Sequence, residues 1–254
     1  MRLCLLLCVI LLQADYARAE ATHITVRVVA RNAQYVGDLI DGAFVTITDA
    51  ASGEVLAQGT TSGNAGNPKR TMQTARKRGE PMAAKGDAKF AAVLDIDEPR
   101  YLQVSAYGPL DKRFSSNRAS ATQWIVPGKH LTGGDGWVLE LPGLLVSPNL
   151  AASTVSLSIA ASGIRIDAEV MLMCGCPIKT GFYWDPEDYE VVAIVNRGEI
   201  EVGRYPLRYA GTASEFAAQI TADLPGVYDI SVYAYDSASG NTGVGQVEMT
   251  VIED

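Results

Sequence analysis

Pro225-Gly226-Val227-Tyr228-Asp229-Ile230-Ser231-Val232-Tyr233-Ala234-Tyr235-Asp236 is the stretch whose reading decides the fold. A Pro-Gly turn enters a run whose inward residues alternate, the two-residue period of a half-buried strand. Tyr228, early in the run, can reach back with its hydroxyl as a tyrosine corner does. On its C-terminal side, Ser237 to Gly245 is Gly-rich and predicts a hairpin loop into a last strand, Gln246 to Ile252. Asp236 and Asn241 there could offer oxygens to Ca²⁺, but no EF-hand spacing supports it and turn chemistry suffices.

Working backwards, the same rhythm predicts strands at Thr154–Ile159, Arg165–Met173, Glu190–Val195, Tyr205–Tyr209 and Glu215–Ile220. With the two above they make seven short strands, the count of an immunoglobulin-like sandwich. Further back, Leu141-Pro142-Gly143-Leu144-Leu145-Val146-Ser147-Pro148-Asn149 interrupts an apolar run with two prolines and a glycine, which marks a boundary. Before it lies a second series: His23–Val29, Ala43–Thr48, Phe90–Ile96, Tyr101–Tyr107 and Trp137–Leu141. Asp49-Ala50-Ala51-Ser52-Gly53 supplies hairpin turn chemistry between two of these runs. Residues 62–89 break the rhythm. Gly63 to Pro68 is followed by Lys69, Arg70, Arg76, Lys77 and Arg78 with few large apolar side chains, which predicts a long mobile loop with one helical turn near Thr71–Lys77. A basic loop could dock an acidic partner or a membrane surface; the plainer reading is a solvated insertion that keeps an edge strand soluble.

The fold class is therefore all-β: two tandem antiparallel β-sandwiches behind a signal peptide. Residues 1–19 have the order of such a peptide, with Arg2, the apolar run Leu3–Leu12, and Ala17-Arg18-Ala19 as a small-x-small end. The apolar run is about half the roughly 20 residues of a membrane span, and no later segment reaches that length. An exported protein, periplasmic or extracellular, is the expectation. Loss of residues 1–19 takes away Arg2, Arg18 and Asp15, leaving 19 basic against 28 acidic residues and a net charge of −9. Nucleic acid is disfavoured as a partner by that balance.

Two resemblances attach to these residues. Gly42-Ala43-Phe44-Val45-Thr46-Ile47, Gly53, Gly59-Thr60-Thr61-Ser62-Gly63 and Tyr101-Leu102-Gln103-Val104-Ser105-Ala106 resemble the carboxypeptidase-regulatory, transthyretin-like sandwich, covering residues 20–146 with 62–89 as an insertion. Pro225 to Asp236 resembles the penultimate strand of bacterial immunoglobulin-like domains, covering 147–254. The second departs from the antibody pattern: Cys174 sits near the expected cysteine of the second strand, but Val232 stands where its partner would fall. Both imply fold and little of function, since such sandwiches host many activities.

Cleavage would remove Cys4 and Cys8, leaving Cys174 and Cys176 in Val170-Met171-Leu172-Met173-Cys174-Gly175-Cys176-Pro177. Strand alternation puts Cys174 with Val170 and Leu172, and Met171 with Met173 on the other face, so four sulfurs cannot converge on a regular strand. A turn at Gly175 could bring both thiols together, where thiolates suit a soft ion such as Cu(I). The same pair could close a small local disulfide, either labile and exchanging or fixing the loop. It could equally join a partner protein or be buried as a small hydrophobe. Trp184 and Asp185, in the aromatic and acidic Gly181–Tyr189 loop just downstream, would wall one pocket if that loop folds over the cysteines. As a sandwich residue, Trp184 is a core tryptophan and Asp185 a turn residue before Pro186.

Catalytic machinery is otherwise thin. His23 and His130 lie far in sequence from the cysteines, and neither a Gly-x-Ser-x-Gly elbow nor a P-loop is present. Gly133-Gly134-Asp135-Gly136 predicts a hairpin turn. The expectation is a non-enzymatic exported module with a protein partner and a copper-type or loop-fixing site at Cys174/Cys176. A thiol-disulfide exchange protein using the same pair and a structural subunit of a surface or periplasmic assembly stand as alternatives.

Overall fold

The computed structural model describes residues 19–254, so the predicted signal peptide, apart from Ala19, lies outside the described residues. The N-terminal half has seven strands: β1 (Glu20–Ala30), β2 (Phe44–Asp49), β3 (Val55–Thr60), β4 (Phe90–Ile96), β5 (Arg100–Gly108), β6 (Asn117–Ile125) and β7 (Trp137–Leu141). They form a three-stranded sheet in the order β4-β1-β7 and a four-stranded sheet in the order β3-β2-β5-β6. The alternation that predicted these strands is what packs them. Val26 and Val28 from one sheet and Val45, Ile47, Leu102 and Val104 from the other are fully buried between the two.

The C-terminal half has nine: β8 (Leu144–Leu150), β9 (Thr154–Ser156), β10 (Ile164–Leu172), β11 (Tyr189–Arg197), β12 (Ile200–Pro206), β13 (Arg208–Tyr209), β14 (Glu215–Ile220), β15 (Gly226–Asp236) and β16 (Asn241–Ile252). One sheet runs β13-β14-β10-β8 and the other β12-β11-β15-β16-β9. Within the named sheets, pairing is antiparallel except for β1 with β7 and β9 with β16, each joining an early strand of its half to the last one. Most of the buried apolar residues of both halves form one continuous cluster.

Several elements differ from the sequence reading. The boundary region breaks the strands only at Pro142-Gly143, and its second proline does not: β8 runs through Pro148, which sits opposite Ala168 of β10. It is an edge strand of its sheet, where proline is tolerated. Across it, a Cβ on Gly243 or Gly245 of β16 would fall 2.1 Å from Leu144 O or 2.3 Å from Val146 O, so only glycine lets β16 lie this close to β8. Thr154–Ile159 is strand only to Ser156. The chain then turns into a short helix, α2 (Leu157–Ser162). β3, β6 and the body of β12 were not foreseen, because Val55–Thr60, Asn117–Ile125 and Ile200–Pro206 carry few buried apolar residues at edge positions; of the expected Tyr205–Tyr209 strand, the first residues end β12 and the last form β13.

The basic segment 62–89 is organised by specific contacts. Its helix, α1 (Pro68–Met72), lies earlier than the expected Thr71–Lys77, because Asn67 caps it by accepting from Arg70 N and Pro68 occupies the first turn. Arg70 donates to the carbonyls of Pro81 and Met82, and Asp135 accepts from Met82 N and Ala83 N at 2.9 and 2.8 Å. Tyr35, Ala83 and Ala88 form a small core beneath. The turn at Gly133–Gly136 is present, but it links β6 and β7 of different sheets, so it is not a hairpin.

Candidate functional site

β10 carries Ile164, Ile166, Ala168, Val170 and Leu172 inward and stops where the chain reverses. Gly175 N donates to Leu172 O at 2.8 Å, and Leu172 N to Cys176 O at 3.3 Å. The reversal needs Gly175 at φ 74°, the left-handed region that glycine enters without penalty. Cys174 and Cys176, on either side of it, are joined by a disulfide. Both are buried, at 0% and 3% exposure.

What covers them comes from the N-terminal half. The side chains of Leu39 and Ile40, at the 3-10 turn Asp38–Ile40, lie 3.4 Å from where a Cβ on Gly175 would stand. Gln34 Oε1 is 3.4 Å from Cys176 Sγ. The other end of that amide, Nε2, is buried without a hydrogen-bond partner. Met173 is buried at 2% and its methyl packs onto Gly143 in the connection between the halves. The sulfurs of Met173 and the cysteine pair thus serve packing at one junction.

Trp184 and Asp185 diverge. Trp184 is 4% exposed, and its indole Nε1 donates to Asn32 O across the junction at 2.8 Å. It is a buried tryptophan, as its place before the third strand of the series suggested, but it packs against the N-terminal half. Phe182 stands edge-on to it at 5.7 Å and to Tyr183 at 5.1 Å. Asp185 faces the other way. It accepts from Gly181 N and Glu187 N, fixing the loop and capping the 3-10 turn Pro186–Asp188. It lines a groove of about 370 Å³ with Tyr189, Arg208, Tyr209 and Phe216. In that groove burial, aided by Asp236 and Asp188, holds the Tyr189 hydroxyl well above its usual pKa, so it stays neutral.

Cys174, Cys176 and Trp184, singled out in the sequence, lie against Asn32, Gln34, Leu39 and Ile40, which were not. Nothing in the sequence joins them to residues about 140 positions later; they meet because the segment that follows β1 packs on the turn that ends β10 and on the loop beyond it. His23 and His130 meet each other instead, ring centroids 4.8 Å apart, with His23 N donating to His130 Nδ1. No group of three or more His, Cys, Asp or Glu among the described residues is arranged to hold a metal ion. No helix among them is long and apolar enough to cross a membrane.

These features define a two-sandwich all-β protein with a buried disulfide turn where its halves meet. No protein family matches the chain, and no curated protein matches it in sequence. Among solved structures it is similar to the fibronectin(III)-like modules of CbhA from Clostridium thermocellum, with 12% identity and a TM-score of 0.30, over 94% of this chain and 93% of that one. It is also similar to a protein of Corynebacterium diphtheriae described as membrane anchored, with 9% identity and a TM-score of 0.33, over 92% of this chain and 59% of that one. Similarity at that level assigns neither family nor function.

Proposed function

We propose that the chain is an exported, non-catalytic interaction module of two domains, in which the Cys174–Cys176 disulfide fixes a loop that locks the domains together. The observation that carries this is the burial of the cysteine turn under Leu39 and Ile40, beside the Trp184–Asn32 hydrogen bond. A thiolate that exchanges disulfides or takes up Cu(I) has to be free and reachable. These two sulfurs are bonded to each other and enclosed. The loop-fixing reading is therefore preferred to the copper-type and exchange readings.

The domain junction falls at Pro142-Gly143 in this reading, three residues before the one the sequence suggested, because β8 already belongs to the C-terminal sheet from Leu144. The transthyretin-like assignment of the first domain is supported by the adjacency of its signature segments: β2 lies between β3 and β5 in one sheet. Export rests on the order of residues 1–19 and on a disulfide suited to an oxidising compartment.

Intact mass of the exported protein before and after reduction is the deciding measurement. The proposal expects two hydrogens gained only once the protein is unfolded, and no Cu(I) uptake by the native protein. Rapid reduction of the native protein, or stoichiometric Cu(I) binding lost in Cys174→Ser/Cys176→Ser, would replace it with the exchange or copper reading.

A further inference from the structure

The outer face of the sheet β3-β2-β5-β6 has an unusual surface. At one end Tyr101 and Trp124 stand directly opposite each other on β5 and β6, 40% and 66% exposed, with ring centroids 5.3 Å apart. Toward the other end, Phe44 on β2 is 38% exposed and lies opposite Tyr107, over whose ring the Arg118 guanidinium sits at 5.5 Å. Tyr101 and Tyr107 are six residues apart on one strand, so the aromatic ends are separated by about 20 Å. Between them the register sets Thr46, Ser105 and Ser120 in one row and Thr48, Gln103 and Thr122 in the next.

On β2, β5 and β6 every side chain in those two rows is a hydroxyl or an amide; β3 completes the rows with Gln58 and the exposed Val55, and Arg118 is the one ion on the face. On a chain of net charge −8, the lack of carboxylates over four strands is a selective feature of this surface. Protein-binding surfaces put aromatic, Met or Arg anchors at their centre. Here the anchors are at the ends and the centre is hydroxylic. One cation does not make a phosphate-binding surface. A neutral polyhydroxylated chain matches on all counts, because its C–H faces stack on aromatic rings while its hydroxyls exchange hydrogen bonds with groups that both donate and accept. Tyr101 Oη lies 2.7 Å from Thr122 Oγ1 and its ring packs against that of Trp124, so part of the platform is ordered before binding.

We infer that this face is a binding surface for a neutral polysaccharide, laid across the sheet between the two aromatic ends. It stands apart from the cysteine junction and does not depend on the loop-fixing role of that site.

The test is native affinity electrophoresis of the full-length exported protein in gels containing hydroxyethylcellulose, xylan, galactomannan, laminarin or soluble starch. Retardation by at least one of these is expected, weakened about tenfold by Trp124→Ala or by Tyr101→Ala, since each removes one stacking platform. Both substitutions are at exposed positions, and unchanged circular dichroism and thermal midpoint confirm folding. Cys174→Ser/Cys176→Ser should retain the retardation, which separates this inference from the proposal for the junction. Absence of retardation in every gel, or equal retardation of the variants, would overturn the inference. So would a dimer in sedimentation that Trp124→Ala abolishes, which would assign the face to a second copy of the chain.

Discussion

Asp135 shows how much a single side chain can organise. From a turn between two sheets it accepts from Met82 N and Ala83 N, lies within 3.5 Å of Tyr35 Oη and 3.6 Å of Arg76, and so ties down a long basic segment. Asp135→Ala would leave two part-buried amides without acceptors. A loss of about 2 kcal/mol in chemical denaturation follows, together with faster tryptic cleavage at Arg76, Lys77 and Arg78. Asp49 is a second such residue. Backbone N–H groups of Ser52 and Ala51 hold its carboxyl below its usual pKa of 3.8. A depressed carboxylate stabilises the fold fully above its unfolded pKa and loses that contribution as pH falls through the folded one. The thermal midpoint of the natural protein should therefore drop more steeply below about pH 3.8 than that of Asp49→Asn, with the two curves converging in strong acid. Asp49 was legible as a turn residue because its partners are two and three positions away. Asp135 was taken for a plain hairpin residue because its partners are more than fifty positions back.

At the level of elements, the same contrast between near and far partners recurs. Tyr228 reaches back to Leu224 O at 2.7 Å, as its place at the start of β15 predicted, since a corner spans four residues. Tyr228→Phe keeps the ring and removes one hydrogen bond, and should cost about 1 kcal/mol by denaturant midpoint. Asn241 looked like part of a Gly-rich turn. It instead opens β16 and makes paired hydrogen bonds to Gly143, accepting from its N at 2.7 Å and donating to its O at 2.9 Å. It is 2% exposed, so Asn241→Ala strands two buried backbone groups and should cost about 3 kcal/mol, with faster amide exchange at Gly143 and Leu144. Strands with strong alternation, such as β4, β5, β7 and β15, were readable from sequence. The edge strands β3, β6 and most of β12 were not, because an edge strand needs few buried side chains and its pattern is weak.

Across the whole molecule, one apolar cluster runs through both sandwiches, and the junction is sealed by Trp184, Met173 and the cysteine turn. The intact protein should unfold in a single transition with matching calorimetric and van't Hoff enthalpies. Trp184→Ala opens a large cavity at the seal and removes the bond to Asn32, at a cost of about 4 kcal/mol. Its calorimetric trace should broaden or split as the halves uncouple. A loop-fixing disulfide was one of several readings the sequence offered for the cysteines, whose neighbours suggested a turn, but nothing in it named what lies over that turn.

The parallel pairs β1–β7 and β9–β16 also set the order in which the protein can mature as it emerges from the ribosome. In each half a strand made early is completed by the strand made last, so neither sheet can close while its chain is still being threaded. Until Leu141 is out, the inner edge of β1 is an open template for any passing strand, and β9 waits likewise for Thr250–Ile252. A chaperone that shields the β-edges of a growing chain would therefore act on this protein twice, at two moments separated by the length of a domain.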